Sequence, residues 1–493
     1  MHKLKLLIIS IFTLFIYNYS FGQYTVEWAK TFGGDGWDEA NTCVETREGF
    51  YMAAGFARWQ EHNLWAVKMY PDSRDRWAKT FVEYSTTSAK SMIQTELDSA
   101  IVITGYIIKK REFQSDLLLL KIDTLGNIIW QKTYGGSSNE EGLKVIETKD
   151  HCLAICGYSS SNVDGEPNWY VIKTDSYGNL MWEREFGGSN DDRALSIAET
   201  FDGGFVVTGY IGGGDGGQKL MSLIKLDKDG NDEWSQTYYY NNWCAGAGVV
   251  ATRDSNIVIA GYTRPYPILD YDVLVVKCDM NGDTIWSTTY GNENWDEATD
   301  IIQTYDDAYV VCGFSSSNSR DISSFLMLKY DSRGNLIWER VLKRKSQDYA
   351  KCVVETRDNG LLLAGTTSAW GKNWDMAVLK MKNVERSDMK FSFPADSVST
   401  TVENKMQFKF CLNSFGIPTN VRVTVNDVEQ VNFSEFKKLP PDQQQKDCDY
   451  PLAYTVNLVP GKNVVKFIVK DYKRYEFIKE RTVYLLPKYD VVR

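Results

Sequence analysis

One spacing constrains this chain more than any other property. Trp recurs at positions 28, 77, 130, 182, 234, 286 and 338, and most steps are 52 residues, as from Trp234 to Trp286 and on to Trp338. Three more positions keep one residue type through the same seven copies: Thr at 46, 95, 148, 200, 252, 304 and 356; Gly at 55, 105, 157, 209, 261, 313 and 365; Lys at 68, 121, 173, 225, 277, 329 and 380. Six residues before each Thr stands a small residue: Ala40, Ala89, Gly142, Ala194, Gly246, Ala298 and Ala350. A sustained period of this length marks an architecture of stacked units, each burying its apolar face against the next.

Within one copy, short strand-like runs alternate with turn signals. Tyr309 to Phe314 and Phe325 to Lys329 are two such runs, and Asp331-Ser332-Arg333-Gly334-Asn335 is the turn before a run carrying Trp338. Four short strands per copy predict the blade of a propeller. We label them A to D from the central channel outward. The small residue opens strand A, where space near the axis is least; Gly falls on B, Lys on C and Trp on D. The run Leu117 to Leu120 suits a C strand covered on both faces. Each Trp is expected to wedge between blades, a burial worth about 1.5–3 kcal/mol. The chain enters on a lone D strand around Trp28, and the last copy stops after its C strand at Lys380. The first strand is therefore expected to complete the last blade and remove an open sheet edge.

The fold class expected is all-β: a seven-bladed β-propeller of four-stranded blades over residues 24–384, a linker at 385–390, and an immunoglobulin-like β-sandwich at 391–493. The last region loses the 52-residue spacing and shows short alternating apolar runs, such as Val421-Val423-Val425 and Val464 to Val469, without helical period. Pro460-Gly461-Lys462-Asn463 is expected to turn a hairpin between two of them. Residues 1–23 carry Lys3 and Lys5, an apolar stretch from Leu6 to Tyr17, and Phe21-Gly22-Gln23, which reads as a secretory signal. The protein is thus expected to be exported, to periplasm, cell surface or medium, with no membrane span after cleavage.

Net charge of −10 argues against nucleic acid and anionic membranes as partners. Nine Cys in an exported chain invite a disulfide reading. Cys156 and Cys312 occupy the same B-strand position in different blades and cannot bond, and Cys43, Cys152, Cys278 and Cys352 are read as buried thiols within strands. Cys244 is placed in a loop. Cys411 and Cys448, both in the C-terminal region, are expected to pair.

Catalytic signatures are sparse. His62 and His151 stand in no metal-ligand pattern and beside no nucleophile elbow, so no metal is expected. Walker and Rossmann glycine patterns are missing, and Gly212 to Gly217 joins two strands without opening a helix. Nothing implies a cofactor. Acids recur two residues before the small residue, at Asp38, Glu140, Asp192, Asp296 and Asp348. They suit either a ring of carboxylates at the channel mouth or braces for their own turns.

A site is better sought where blades differ. The D-to-A and B-to-C loops are long and variable and are expected to share one face. One residue before the acid position, Trp appears in three blades, as Trp37, Trp243 and Trp295. The B-to-C loops add Trp59, Tyr266, Tyr271 and Trp370. Aromatic rings beside carboxylates suit a sugar or a peptide. The candidate ligand-binding set is Trp37, Asp38, Trp59, Trp243, Tyr266, Trp295, Asp296 and Trp370.

Trp130-Gln-Lys-Thr-Tyr-Gly-Gly136, Thr200-Phe-Asp-Gly-Gly-Phe-Val-Val-Thr-Gly-Tyr210 and Lys225-Leu-Asp-Lys-Asp-Gly-Asn231 resemble the secreted β-propeller repeats of Bacteroidetes surface and exported proteins. Val425-Asn426-Asp427 and Leu458 to Asn463 resemble bacterial immunoglobulin-like modules. The resemblance implies a binding or display scaffold. Asp227 to Trp234 is also similar to the Asp–Gly–Trp turn of quinoprotein dehydrogenases, but the adjacent Cys pair of a quinone site is missing. The function expected is an exported, non-catalytic scaffold that holds a glycan or an envelope protein on its long-loop face. The alternatives are a carboxylate-based glycan hydrolase or lyase at the channel mouth, and a structural partner in an envelope complex. Oligomeric state is left open.

Overall fold

A computed structural model of the chain describes residues 24–485, apart from 59–61, 82–85, 163, 214–217, 240–241, 266–269, 292–293, 317–321, 343–345, 369–372, 384–387, 394–397, 402–404, 414–417, 434–449 and 472–475. The expected signal, Trp59, Tyr266, Trp370 and Cys448 lie outside the described residues. Seven four-stranded antiparallel sheets make up the repeat region, consistent with a seven-bladed propeller. Blade 1, for example, runs through Asp38–Glu45, Tyr51–Arg58, His62–Met69 and Asp75–Phe81. The entry strand Tyr24–Phe32 pairs with Asp375–Asn383 and supplies the fourth strand of the last sheet. Blade 7 packs on blade 1 through a shared apolar cluster that includes Ala40, Cys43, Cys352 and Leu362.

Each recurrent residue answers a local demand. Strand A bulges just after its small residue in every blade, as between Gly142 and Lys144 or Ala298 and Asp300. The bulge brings an A-strand carbonyl against the B-strand glycine: a Cβ on Gly157 would lie 1.8 Å from the Glu141 oxygen. Only glycine fits there. The recurrent Lys is buried and finds its counter-ion in the A-to-B turn. Lys121–Asp98, Lys225–Asp202 and Lys329–Asp306 pair at 2.8, 3.0 and 2.6 Å, and the recurrent Thr donates its hydroxyl to the same aspartate, as in Thr304 to Asp306 at 2.6 Å. Blade 1 departs from this: Lys68 lies 4.7 Å over the Phe50 ring and donates to the Thr124 carbonyl. Six of the seven Trp lie at the C-to-D turn of the next blade, and Trp338, whose neighbour has no such turn, meets Tyr24 of the entry strand. Gly230 (φ +81°) rests on Trp182 and Gly334 (φ +85°) on Trp286, and the left-handed backbone that this turn needs explains its glycine.

A second belt of bonds, not anticipated above, links blades on the face of the short A-to-B turns. The residue before the recurrent Thr is Glu or Gln in six blades: Glu45, Gln94, Glu147, Glu199, Gln303 and Glu355. Each accepts the backbone N–H of the residue after the Thr in the preceding blade. Arg47 donates to Gln94 (2.6 Å), Glu96 to Glu147, Lys149 to Glu199 (2.9 Å), Arg253 to Gln303 (3.0 Å), Tyr305 to Glu355 (2.9 Å) and Arg357 to Glu45 (2.8 Å). The last of these crosses from blade 7 to blade 1. Where blade 5 has Ala251 the link is missing, and the Phe201 N–H has no such acceptor among the described residues. The basic side chains reinforce the belt: Arg253 and Arg357 each donate to the next blade's Thr carbonyl at 2.8 Å.

The C-terminal strands form two sheets. One holds Asp388–Phe393, Lys405–Asn413 and Tyr450–Asn457; the other holds five strands, among them Gly461–Asp471 and Glu476–Leu485. Phe408 of the first meets Phe467 of the second at 5.2 Å between ring centroids. Two expectations are corrected here. The first strand begins at Asp388, inside the stretch read as linker. Pro460 to Asn463 is not a hairpin, because the strands on either side belong to different sheets. The buried Asn463 side chain turns the corner instead, accepting from the Val459 N–H (2.9 Å) and donating to the Val459 carbonyl (2.7 Å).

Candidate functional site

The inner strands enclose a cavity of about 620 Å³ on the side of the short turns, lined from all seven blades. An ion pair crosses the axis at mid-height: Lys144 of blade 3 meets Asp300 of blade 6 at 3.3 Å. Asp300 also accepts the Val353 N–H at 3.2 Å, so the bridge is tied into blade 7. Among its carboxylates, Glu45, Glu147, Glu199 and Glu355 are engaged in the belt and Asp300 in the ion pair, while Glu96 is held, among the described residues, only by Arg47 at 3.9 Å.

The other end of the channel is different. The residue after each B-strand glycine is aromatic in six blades: Phe56, Tyr106, Tyr158, Tyr210, Tyr262 and Phe314. Opposite each stands a variable A-strand residue, with Glu141 across from Tyr158, Arg193 across from Tyr210 and Glu297 across from Phe314. Cations lie on these rings. Lys90 is 5.8 Å from the Tyr106 centroid and 3.0 Å from Glu141; Arg193 is 4.4 Å from Tyr158; Lys219 is 3.8 Å from Tyr210. The Tyr158 and Tyr210 hydroxyls donate to Glu141 and Asp191, both at 3.0 Å. Burial pushes the Glu297 carboxyl up to about 7, against the opposing pull of Lys351 and Lys219. Burial likewise lowers the Lys219 ammonium. Glu297 of blade 6 is within electrostatic reach of both Lys219 of blade 4 and Lys351 of blade 7, and Asp191 and Arg193 also act on Lys219.

The structure separates the expected site residues into two groups. Trp37 and Trp295 are 43% and 50% exposed. Trp37 stacks on Trp374 at 6.4 Å; Trp295 meets Tyr271 edge-on at 5.1 Å; Trp243 is half-buried beneath the Arg264 guanidinium at 5.3 Å. All three stay on the long-loop face. Asp38 and Asp296, by contrast, are fully buried and present no carboxylate to a ligand, which corrects their place in the set. Asp38 accepts from the Gly34 and Arg58 N–H groups (2.9 and 3.1 Å), and Asp192 from Gly188 and Gly212 (2.8 and 2.7 Å). These acids hold D-to-A and B-to-C loops together. Burial raises the Asp38 and Asp192 carboxyls above their usual range against those hydrogen bonds.

Cys244 is a further correction. It lies in strand Asn242–Ala251, fully buried, at the position the acids hold in other blades. Its sulfur accepts from the Met221 N–H and donates to the Tyr238 carbonyl, each at 3.2 Å. Cys152 sits just before its B strand rather than inside it. The seven cysteines described are unbonded. The Cys411–Cys448 pairing lies outside the described residues. Among the described residues no group of three or more His, Cys, Asp or Glu side chains is arranged to hold a metal ion, and no helix is long and apolar enough to cross a membrane.

The aromatic–cation mouth escaped the reading above, although its signal was present: an aromatic one residue after the recurrent Gly. Comparisons with known proteins add little to this geometry. No family model matches the chain. The regulatory protein FlaEY of Caulobacter vibrioides is 27% identical over 134 residues, which is 24% of this chain and 13% of that protein. The chain thus spans a small part of that relative. The extracellular domain of a hybrid two-component system from B. thetaiotaomicron is similar in structure at TM-score 0.40 and 9% identity, over 91% of this chain and 56% of that one. The WD40 domain of Neurospora crassa Pan2 is similar at TM-score 0.45 and 10% identity, over 71% and 91%.

Proposed function

We propose that this protein is a non-catalytic binding scaffold that holds a segment of a protein partner on its long-loop face. The observation that carries the reading is the contrast in side-chain use between the two ends of the channel. At the short-turn end the polar groups are spent on each other. At the long-loop end Trp37 and Trp295 are half open to solvent, Trp37 donating to Glu39 at 3.0 Å and Trp295 set against the Tyr271 ring, a composition suited to recognition. A glycan-cleaving site would need two carboxylates working as a pair. The groups that act on Glu297 are instead Lys351 and Lys219, and Glu141 is held by Lys90 and the Tyr158 hydroxyl. Glycan stacking is disfavoured because the rings of Tyr158 and Tyr210 already carry cations and Trp37 already carries Trp374.

Export, an origin among Bacteroidetes, and an immunoglobulin-like C-terminal module belong to the same proposal. They rest on the first 23 residues, the repeat motifs and the two-sheet strand order. The test is a peptide array and a glycan array probed with residues 24–493, alongside the double variant Trp37→Ala/Trp295→Ala and a short-turn control, Lys149→Ala. Peptide signals lost in the Trp variant and kept in the control are expected. Glycan signals with a blank peptide array, or peptide signals indifferent to both Trp, would overturn the reading.

A further inference from the structure

We infer that the long-loop mouth selects a carboxylate-bearing peptide, with Lys219 and Lys351 receiving the acidic side chain. The inference rests on the binding reading above and adds the chemistry of the ligand. Three cations on this face make no salt bridge among the described residues. Lys219 lies against the Tyr210 ring, Lys351 is 6.0 Å from the Tyr349 ring, and Arg264 sits between Trp243 and Tyr271 at 5.3 and 5.2 Å. Six of the seven recurrent buried lysines are paired at 2.6–3.0 Å, as Lys173 is with Asp150 and Lys277 with Asp254, and only Lys68 of blade 1 is not. Lys219 and Lys351 therefore depart from the acid pairing that six of the seven recurrent lysines show.

An ammonium held on an aromatic face is partly stripped of water and fixed in direction. A carboxylate arriving there gains a charge-assisted hydrogen bond in a setting of reduced screening. Two acids act on Lys219, Asp191 and Glu297. Asp191 is already held by Arg193 at 2.7 Å and by the Tyr210 hydroxyl at 3.0 Å. Glu297 also faces Lys351 and the Tyr262 ring, and no hydrogen bond holds its carboxylate among the described residues. Its raised titration means that near neutral pH it is neutral in a large fraction of molecules. When neutral it leaves both ammonium groups to the ligand. When charged it competes with the ligand for them. Binding of an acidic peptide should therefore weaken as pH rises through about 7.

The test uses residues 24–493 and a fluorescein-labelled Gly-Ser peptide carrying three glutamates, against the same peptide with glutamines, read by fluorescence anisotropy at fixed ionic strength. The acidic peptide is expected to bind at least about tenfold tighter, as one charge-assisted contact would give. Lys219→Met and Lys351→Met should each lose most of that preference, and Lys219→Arg should keep it. Glu297→Gln should bind as tightly at pH 8 as the parent does at pH 6 and abolish the pH dependence. Equal binding of the two peptides, lost in Trp37→Ala/Trp295→Ala, would overturn the carboxylate preference while leaving the scaffold reading intact. Binding of neither peptide would count against both. Displacement of the acidic peptide by trigalacturonate at equal concentration would overturn the peptide in favour of an acidic glycan. Unchanged melting of each variant secures these comparisons against misfolding.

Discussion

The two ends of the channel are built from the same seven inner strands and yet differ in kind. At the short-turn end, six Glu or Gln side chains at one sequence position do one job, each accepting an N–H from the blade before. At the long-loop end the equivalent stretch holds Glu39, Ser88, Glu141, Arg193, Ala245, Glu297 and Tyr349, no two neighbouring blades alike. The difference teaches how to read a repeat protein. Where copies agree, the side chain meets a demand that the fold makes in every blade. Where they disagree, the fold makes no common demand, and each blade puts the side chain to its own use, as Glu141 with Lys90 and Arg193 with Asp191.

The comparison breaks most severely if the shared architecture is removed. Deleting residues 24–34 strips blade 7 of its outer strand and exposes the edge of Asp375–Asn383. Loss of cooperative unfolding, or a fall in melting temperature of more than about 10 °C, is expected by calorimetry. A deletion variant that melts with the parent would refute closure by this strand. Next in size is Gly157→Ala. The added methyl would meet the Glu141 carbonyl oxygen at 1.8 Å and force the A-strand bulge to move. A loss of about 3–5 kcal/mol in urea unfolding is expected.

The belt can be cut or completed. Glu199→Ala leaves the Lys149 N–H without its acceptor and should cost about 1–2 kcal/mol. Ala251→Gln supplies the acceptor missing between blades 4 and 5, and should add about 0.5–1.5 kcal/mol. A destabilised Ala251→Gln would show that the gap is required rather than tolerated.

Acid should erode the short-turn end first. Partial burial opposes ionisation of Asp150, but hydrogen bonds from Thr148 and Lys173 outweigh it and hold the carboxyl down to about 2; Asp202, with Thr200, Gly204 and Lys225, behaves alike. A depressed folded-state titration gives stability that is present above the unfolded value near 3.8 and lost as pH falls towards 2. Asp150→Asn should therefore flatten the stability curve between pH 4 and 2 and leave its slope above pH 5 unchanged. The smallest stability effect belongs to the long-loop face. Trp37→Ala/Trp295→Ala should shift unfolding by less than about 1 kcal/mol, since both rings are largely exposed, while it removes ligand binding.

The amino-acid sequence by itself determined the number of blades, the four strands in each, the strand that completes the last one, and the side on which variable loops gather. It could do so because burial between blades and the tight turns repeat their demands every 52 residues, and repetition makes a weak local signal strong. The tertiary structure alone decided what each position does. It turned Asp38 and Asp296 inward, Asp38 as a loop brace, moved Cys244 from a loop into a strand, and sent the chain at Asn463 from one sheet to another. It also brought Lys219 of blade 4 and Lys351 of blade 7 within electrostatic reach of Glu297 of blade 6. Such meetings depend on where separate blades point around a common axis, and no spacing along the chain encodes that.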